Sequence, residues 1–137
     1  MAAGHRSRTE LQPGESSEGG FFNLGRREGA KLAYLEAFDD VERMGGRVDT
    51  VVQAVASGLG IVAAARAAEQ SVAVRRWERS PRLFCAQQTS CSPMVRAWRS
   101  AEIGANARLP EPTPGGLASA ILLGDPFSSF DYVARAV

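Results

Sequence analysis

A run of small residues is the part of this sequence whose residue types best suit ligand binding: Ala56, Ser57, Gly58, Leu59 and Gly60. It follows an apolar segment and precedes an alanine-rich one, as a turn between a strand and a helix does. Backbone N–H groups at a helix start have no partner within the helix and carry partial positive charge. Such a corner, residues 56–60, can bind a phosphate, with the Ser57 hydroxyl as a further donor. The same composition is also common in ordinary strand–helix turns. The spacing of the glycines matches neither GxGxxG nor GxxxxGK(S/T), which excludes the Rossmann and P-loop signatures.

Other residues with reactive side chains lack the partners that catalysis requires. Lys31 is the only lysine, and a surface position near a helix start is expected for it. Cys85 lies in an apolar strand and is expected in the core. Cys91 would begin a helix, which favours a thiolate, but the only histidine, His5, lies in a polar tail. We therefore predict no catalytic residue in this chain. Since a structural zinc site needs about four Cys or His ligands, we also predict no metal site.

The charged residues form no pattern that indicates a large polyanionic partner. The 137 residues include 16 Lys+Arg and 15 Asp+Glu, for a net charge of +1, so we expect no nucleic acid and no membrane as partner. The acidic residues at 39, 40 and 42 and the arginines around position 76 are expected to be solvated. The uncharged apolar stretch 51–65 is too short to span a bilayer. Two cysteines and no evident signal peptide are typical of a cytoplasmic protein.

The hydrophobic pattern predicts alternating helices and strands after a polar, disordered tail at 1–20. Helices are expected at 26–43, 61–70, 94–100 and 130–137, a short helix or turn at 117–122, and strands at 49–55 and 82–87. This order is typical of a parallel α/β sheet, and the nearly continuous apolar run of the first strand favours a strand covered on both faces. Two strands are too few for an independent sheet. We therefore predict an incomplete three-layer α/β unit, with Trp77 and Trp98 as packing residues.

Four segments, in this order and spacing, resemble the middle of a threonine synthase-like enzyme. These enzymes belong to the tryptophan synthase β-like (fold type II) family, which uses pyridoxal 5′-phosphate (PLP). The segments are residues 28–31 (EGAK), the corner at 56–60, residues 90–98 (SCSPMVRAW) and residues 121–126 (ILLGDP). In that family a loop rich in Gly, Ser and Asn after a strand holds the cofactor phosphate. The resemblance extends over roughly residues 20–137.

The resemblance implies that residues 21–137 are part of the PLP-binding large domain, with Ala56, Ser57, Gly58, Leu59 and Gly60 as the phosphate loop. Ala56 and Leu59 stand where the family usually has smaller or polar residues, and Leu59 is expected to turn its side chain into the core. Lys31 matches the ordinary lysine of the EGxK motif, because the family carries its Schiff-base lysine far upstream.

We therefore expect a fragment of a lyase that acts on amino-acid substrates by β- or γ-elimination or replacement, and that is inactive as an isolated chain. The alternative is a non-catalytic, degenerate copy. Such a copy would assemble as a homodimer or with a complementary fragment.

Overall fold

The computed structural model describes residues 23–99, 115–125 and 129–137. Its elements are α1 (Leu24–Arg43), β1 (Thr50–Ala54), α2 (Leu59–Ala73), β2 (Arg82–Ala86), α3 (Pro93–Arg99), a 3-10 turn (Ser119–Ile121) and α4 (Ser129–Ala136). The predicted order of helices and strands is confirmed, with element ends shifted by a few residues at most. The polar tail at 1–20 and residues 100–114 lie outside the described residues. Among the described residues, no helix combines the length and the apolar character that crossing a bilayer requires.

The two strands pair in parallel, with Val52 beside Phe84 and Ala54 beside Ala86. Parallel neighbours need a crossover connection, because both strands must start at the same edge. Helix α2 is this crossover, and α1 packs against it. The predicted α/β class is therefore confirmed. The parallel register also brings the loops that follow β1 and β2 to one edge of the sheet.

Alternate strand residues face a covered side and an open side of the sheet. On the covered side, Val51, Leu83 and Cys85 pack against the core. On the open side, Val52 is 68% exposed and Phe84 is 49% exposed, and the two lie side by side. The apolar run of β1 predicts a strand covered on both faces, but the described residues cover only one. The described part of the chain thus forms two layers.

The core is built around α2, whose alanines let neighbouring elements approach closely. Ile61 lies fully buried in one cluster that β1, α3 and α4 also enter. In a second cluster Phe38 of α1 packs against α2 and against Trp77, with ring centroids 4.7 Å apart. Burial of one such side chain contributes about 1.5–3 kcal/mol. Trp77 packs as predicted, whereas Trp98 is 46% exposed and packs only in part.

A group of ion pairs fastens the end of α1 to the connection that follows α2. Glu42 accepts hydrogen bonds from Arg76 Nε (2.9 Å) and Nη2 (2.6 Å), and also from the Trp77 indole. Arg76 pairs in addition with Asp39 at 2.5 Å. These acids and this arginine remain partly exposed, as expected, but they are also paired with one another. Sequence spacing could not reveal the pairs, because Glu42 and Arg76 are 34 positions apart.

We expect replacement of Glu42 by glutamine to lower thermal stability at neutral pH and to have little effect in acid. The hydrogen bonds from Arg76 and then from Trp77 lower the pKa of Glu42 below its ordinary value. A carboxyl whose pKa is lower in the folded than in the unfolded chain stabilises the fold above its ordinary pKa. That contribution disappears as the pH falls through the folded-state pKa.

Melting temperatures of the wild type and E42Q, measured from neutral pH to below the ordinary carboxyl pKa of about 4, test this. E36Q, at an exposed position of the same helix, is the control and should match the wild type throughout. A difference in melting temperature between wild type and E42Q that stays constant over the whole pH range would contradict a stabilising role of the Glu42 carboxylate.

Candidate functional site

The corner at residues 56–60 joins β1 directly to α2, as the sequence predicts. Strand β1 ends at Ala54 and α2 begins at Leu59, so residues 55–58 make the bend. Gly58 is the residue before the helix and has φ +85° and ψ +8°, in the left-handed region. Glycine enters this region without the steric cost that a Cβ atom brings. No side chain caps this end of the helix.

The first turn of α2 leaves backbone donors available. The first hydrogen bond of the helix runs from Val62 N to Gly58 O, at 3.1 Å. The N–H groups of Leu59, Gly60 and Ile61 therefore have no acceptor within the helix, and none among the other described residues. The Leu59 side chain packs against the core, which confirms the orientation expected from the sequence. Ser57 lies half-buried in the same bend.

Close packing also favours glycine at both positions, 58 and 60. A Cβ atom at Gly58 would lie 2.1 Å from Val133 Cγ2 on α4. A Cβ atom at Gly60 would lie 3.0 Å from the Tyr34 hydroxyl, which donates a hydrogen bond to Gln53 Oε1 at 2.5 Å. Burial raises the pKa of Tyr34, which keeps this hydroxyl protonated as a donor. Backbone conformation and packing thus explain Gly58, and packing explains Gly60. The feature that suits a ligand is therefore the set of amides without an acceptor in the described part of the chain, and not the glycines.

Gln87, directly after β2, connects Val55, the residue before the corner, to the next helix. Its Oε1 accepts hydrogen bonds from Met94 N (3.0 Å) and Val95 N (3.2 Å) in the first turn of α3. Its Nε2 donates to Val55 O at 3.5 Å, at the end of the other strand. Gln87 is not among the candidate residues that the sequence motifs indicate. The only signal for it was a pair of polar amides immediately after an apolar strand.

Gln88 holds a different segment at the same edge. Its side-chain amide donates to Ala118 O and accepts from Ala118 N, both at 3.3 Å. The Ser90 hydroxyl donates to Gly115 O. Gly116 lies so close that a Cβ atom there would be 2.3 Å from Gln88 Oε1. The segment that precedes the 3-10 turn is therefore fastened to the loop after β2.

The remaining reactive side chains are engaged elsewhere. Lys31 is half-buried rather than on the surface, and its Nζ pairs with Glu28 at 2.5 Å, one turn earlier on α1. This hydrogen bond is the main cause of the lowered pKa of Glu28. Cys91 is buried. Burial raises the pKa of Cys85 to about 11, so its thiol is protonated at neutral pH, as expected for a core residue.

A cleft of about 660 Å³ lies at the opposite end of the strands. Its lining consists of Arg47, Val48, Asp49, Arg76, Trp77, Glu78, Arg79, Ser80 and Arg82. Asp49 pairs with both Arg47 and Arg79, and Arg76 pairs with Glu42. Three of the four arginines that line this cleft are thus paired with carboxylates. We place the candidate site at the corner and not at this cleft, because the corner has backbone donors that are unpaired among the described residues.

The chain is similar to several curated proteins named cysteate synthase, whereas no family model matches it. It is 41% identical to the Methanoculleus marisnigri protein over 101 residues, which is 72% of this chain and 22% of that protein. It is 39% identical to the Methanospirillum hungatei protein over 94 residues, 68% of this chain and 22% of that protein. It is 36% identical to the Methanothrix thermoacetophila protein over 86 residues, which is 62% of this chain and 20% of that protein. The chain spans about a fifth of the length of the curated relatives it matches.

We expect replacement of Gly58 by alanine to destabilise the fold by at least about 2 kcal/mol, because it adds both backbone strain and an overpacked methyl group. The added Cβ would collide with Val133 Cγ2. Removing that methyl group in G58A/V133A should relieve the collision but not the strain. The double variant should therefore lose less stability than the sum of the two single variants. Urea unfolding of the four proteins measures this, and strictly additive losses would contradict the packing between the corner and α4.

Proposed function

We propose that this chain is a segment of a PLP-dependent enzyme that acts on amino acids, and that it contributes the loop for the cofactor phosphate. The observation that carries the proposal is the set of available amides in the first turn of α2, immediately after the Gly58 bend. The similarity to cysteate synthases supports membership of a PLP-dependent, threonine synthase-like group of enzymes. The name of these relatives specifies cysteate, an amino acid, as their product. We propose the same product for the intact enzyme to which this segment belongs.

The donors at the corner fit a phosphate group. Leu59 and Gly60, both partly exposed, each have an N–H group without an acceptor among the described residues, and Ser57 can add a hydroxyl. Ile61 is fully buried, so we do not count its amide among the donors to the phosphate. The helix dipole favours an anion at this end of α2. When bound, PLP supplies an electron sink that stabilises negative charge on the α-carbon of an amino acid. The residues of this chain would bind and orient its phosphate.

The surroundings of the corner would keep this phosphate site rigid. The side chains of Leu59 and Val62 are packed in the core, so the start of α2 has little freedom to move. Val133 and Met94 lie against Gly58 from α4 and α3. Fixed donors need no rearrangement when an anion binds, and preorganisation of this kind favours affinity.

We further propose that the lysine that binds the cofactor covalently belongs to another part of the intact enzyme. Lys31 is the only lysine of this chain, and its amino group is engaged by Glu28. In the resemblance described above, it matches an ordinary helix lysine. The chain alone should therefore bind PLP without converting amino acids.

Binding of PLP to the purified chain, compared with binding of pyridoxal, tests the phosphate site. We expect PLP to bind, inorganic phosphate to compete with it, and pyridoxal to bind at least tenfold more weakly. Replacement of Ser57 by alanine should weaken PLP binding about fivefold, as expected for the loss of one hydrogen bond. Titrations followed by ³¹P NMR measure the binding of PLP and of inorganic phosphate, and the affinity of pyridoxal, which contains no phosphorus, is measured by titration followed by its absorbance. Equal affinity for PLP and pyridoxal would contradict the proposal.

Borohydride reduction of the same mixture tests the role of Lys31. The peptide that carries Lys31 should keep its unmodified mass, and K31R should bind PLP as the wild type does. A PLP adduct on Lys31 in the wild type would contradict the proposal that the covalent lysine lies elsewhere.

A second candidate function, assembly without catalysis, is favoured by the open side of the sheet. Val52 and Phe84 form an exposed apolar pair on a face that parallel sheets usually bury. Within the described residues, the outer edges of β1 and β2 have no neighbouring strand, and such edges readily pair with other chains. We propose that this face is where the chain would bind a second copy of itself or a complementary segment.

Light scattering of the purified chain tests this second candidate. The wild type should self-associate, and F84K should shift it towards the monomer, because a lysine ammonium is costly to bury in an interface. L32K is the matched control, since Leu32 is also exposed, on α1 at 60%, and its replacement should leave the association unchanged. A wild type that stays monomeric at high concentration would contradict self-assembly.

A further inference from the structure

We propose that Gln87 is a positioning residue for the phosphate-binding corner, holding it from the neighbouring strand and helix. This inference rests on the proposed function, since it concerns the same site. Gln87 does not belong to the corner, and we do not place it in contact with the ligand. It acts through the groups to which its side-chain amide is bonded.

The first connection runs to the end of β1. The backbone pairing of the strands continues one step past β1, where Val55 N donates to Ala86 O at 2.9 Å. Gln87 follows Ala86 and donates from Nε2 to Val55 O at 3.5 Å. Both backbone groups of Val55 are thus bonded to the end of β2. Val55 is the residue at which the chain leaves the sheet for the corner, so these bonds hold the chain at the point where the bend begins.

The second connection runs through the start of α3. This helix begins with Pro93, which has no N–H group, and Gln87 Oε1 accepts from the next two amides, of Met94 and Val95. Met94 is 3% exposed, and its terminal methyl group lies 3.8 Å from the place that a Cβ atom on Gly58 would take. Gln87 thereby fixes a side chain that packs against the corner.

The neighbouring Gln88 provides a matched comparison. Its amide makes two hydrogen bonds to the backbone of Ala118, and these bonds lead away from the corner. Replacing either glutamine by leucine keeps a similar side-chain volume and removes every hydrogen bond of the amide. A general loss of stability should follow both replacements, but displacement of the corner should follow only Q87L.

The test compares the wild type, Q87L and Q88L in PLP titrations below the lowest melting temperature of the three. We expect Q87L to bind PLP about tenfold more weakly than the wild type and Q88L to stay within about twofold. Melting temperatures recorded in parallel measure the general loss of stability, which should be similar for the two variants. Backbone amide NMR signals of Ser57, Gly58 and Leu59, recorded without ligand, report the corner itself and should shift in Q87L only.

The two readouts separate the inference from the proposed function. If the wild type does not bind PLP but the corner signals shift in Q87L alone, the phosphate site fails and the positioning role of Gln87 stands. If Q87L binds PLP as tightly as the wild type, or if its corner signals are unchanged, the positioning role is overturned. Equal shifts in Q87L and Q88L would overturn it as well, because they would indicate only a general loosening of the fold.

Discussion

Gly58 bends the chain with φ +85°, and the Val133 side chain occupies the space that a side chain at position 58 would need. Backbone strain and lack of space both exclude larger residues, so only glycine lets β1 turn into α2 within residues 55–58. The direct entry into the helix leaves the first-turn amides of α2 at the edge of the sheet. The close packing of α4 and the availability of these donors therefore both depend on glycine at position 58.

The two edges of the sheet differ because the strands are parallel. At the carboxyl edge, the loops after β1 and β2 lie side by side, and Gln87 and Gln88 fasten neighbouring segments while the amides of α2 remain available. At the amino edge, Arg76 and Trp77 of the connection after α2 are bonded to Glu42 of α1. In open α/β sheets, ligands bind outside the carboxyl ends of strands, which agrees with the position of the corner.

The open side of the sheet and the short span of the similarity to cysteate synthases both indicate that further layers or partners would stabilise this fold. The chain spans about a fifth of the length of these relatives, and its described residues cover one face of the two strands. Val52 and Phe84 are apolar on the face that remains open. A sheet of two strands with one covered face buries little apolar area, so further layers or partners would add most to its stability.

Local patterns in the sequence were sufficient to predict the order of the elements, the corner at 56–60, the inward side chain of Leu59 and the packing of Trp77. Helical spacing, strand-forming residues and glycine act over a few neighbouring positions, so they can be recognised without a fold. The pairing of Glu42 with Arg76, the hydrogen bonds of Gln87, and the reasons for Gly58 and Gly60 were decided by the tertiary structure. Each of these depends on partners distant in sequence, and only the packing of α1, α3 and α4 around the sheet and α2 brings those partners within contact distance.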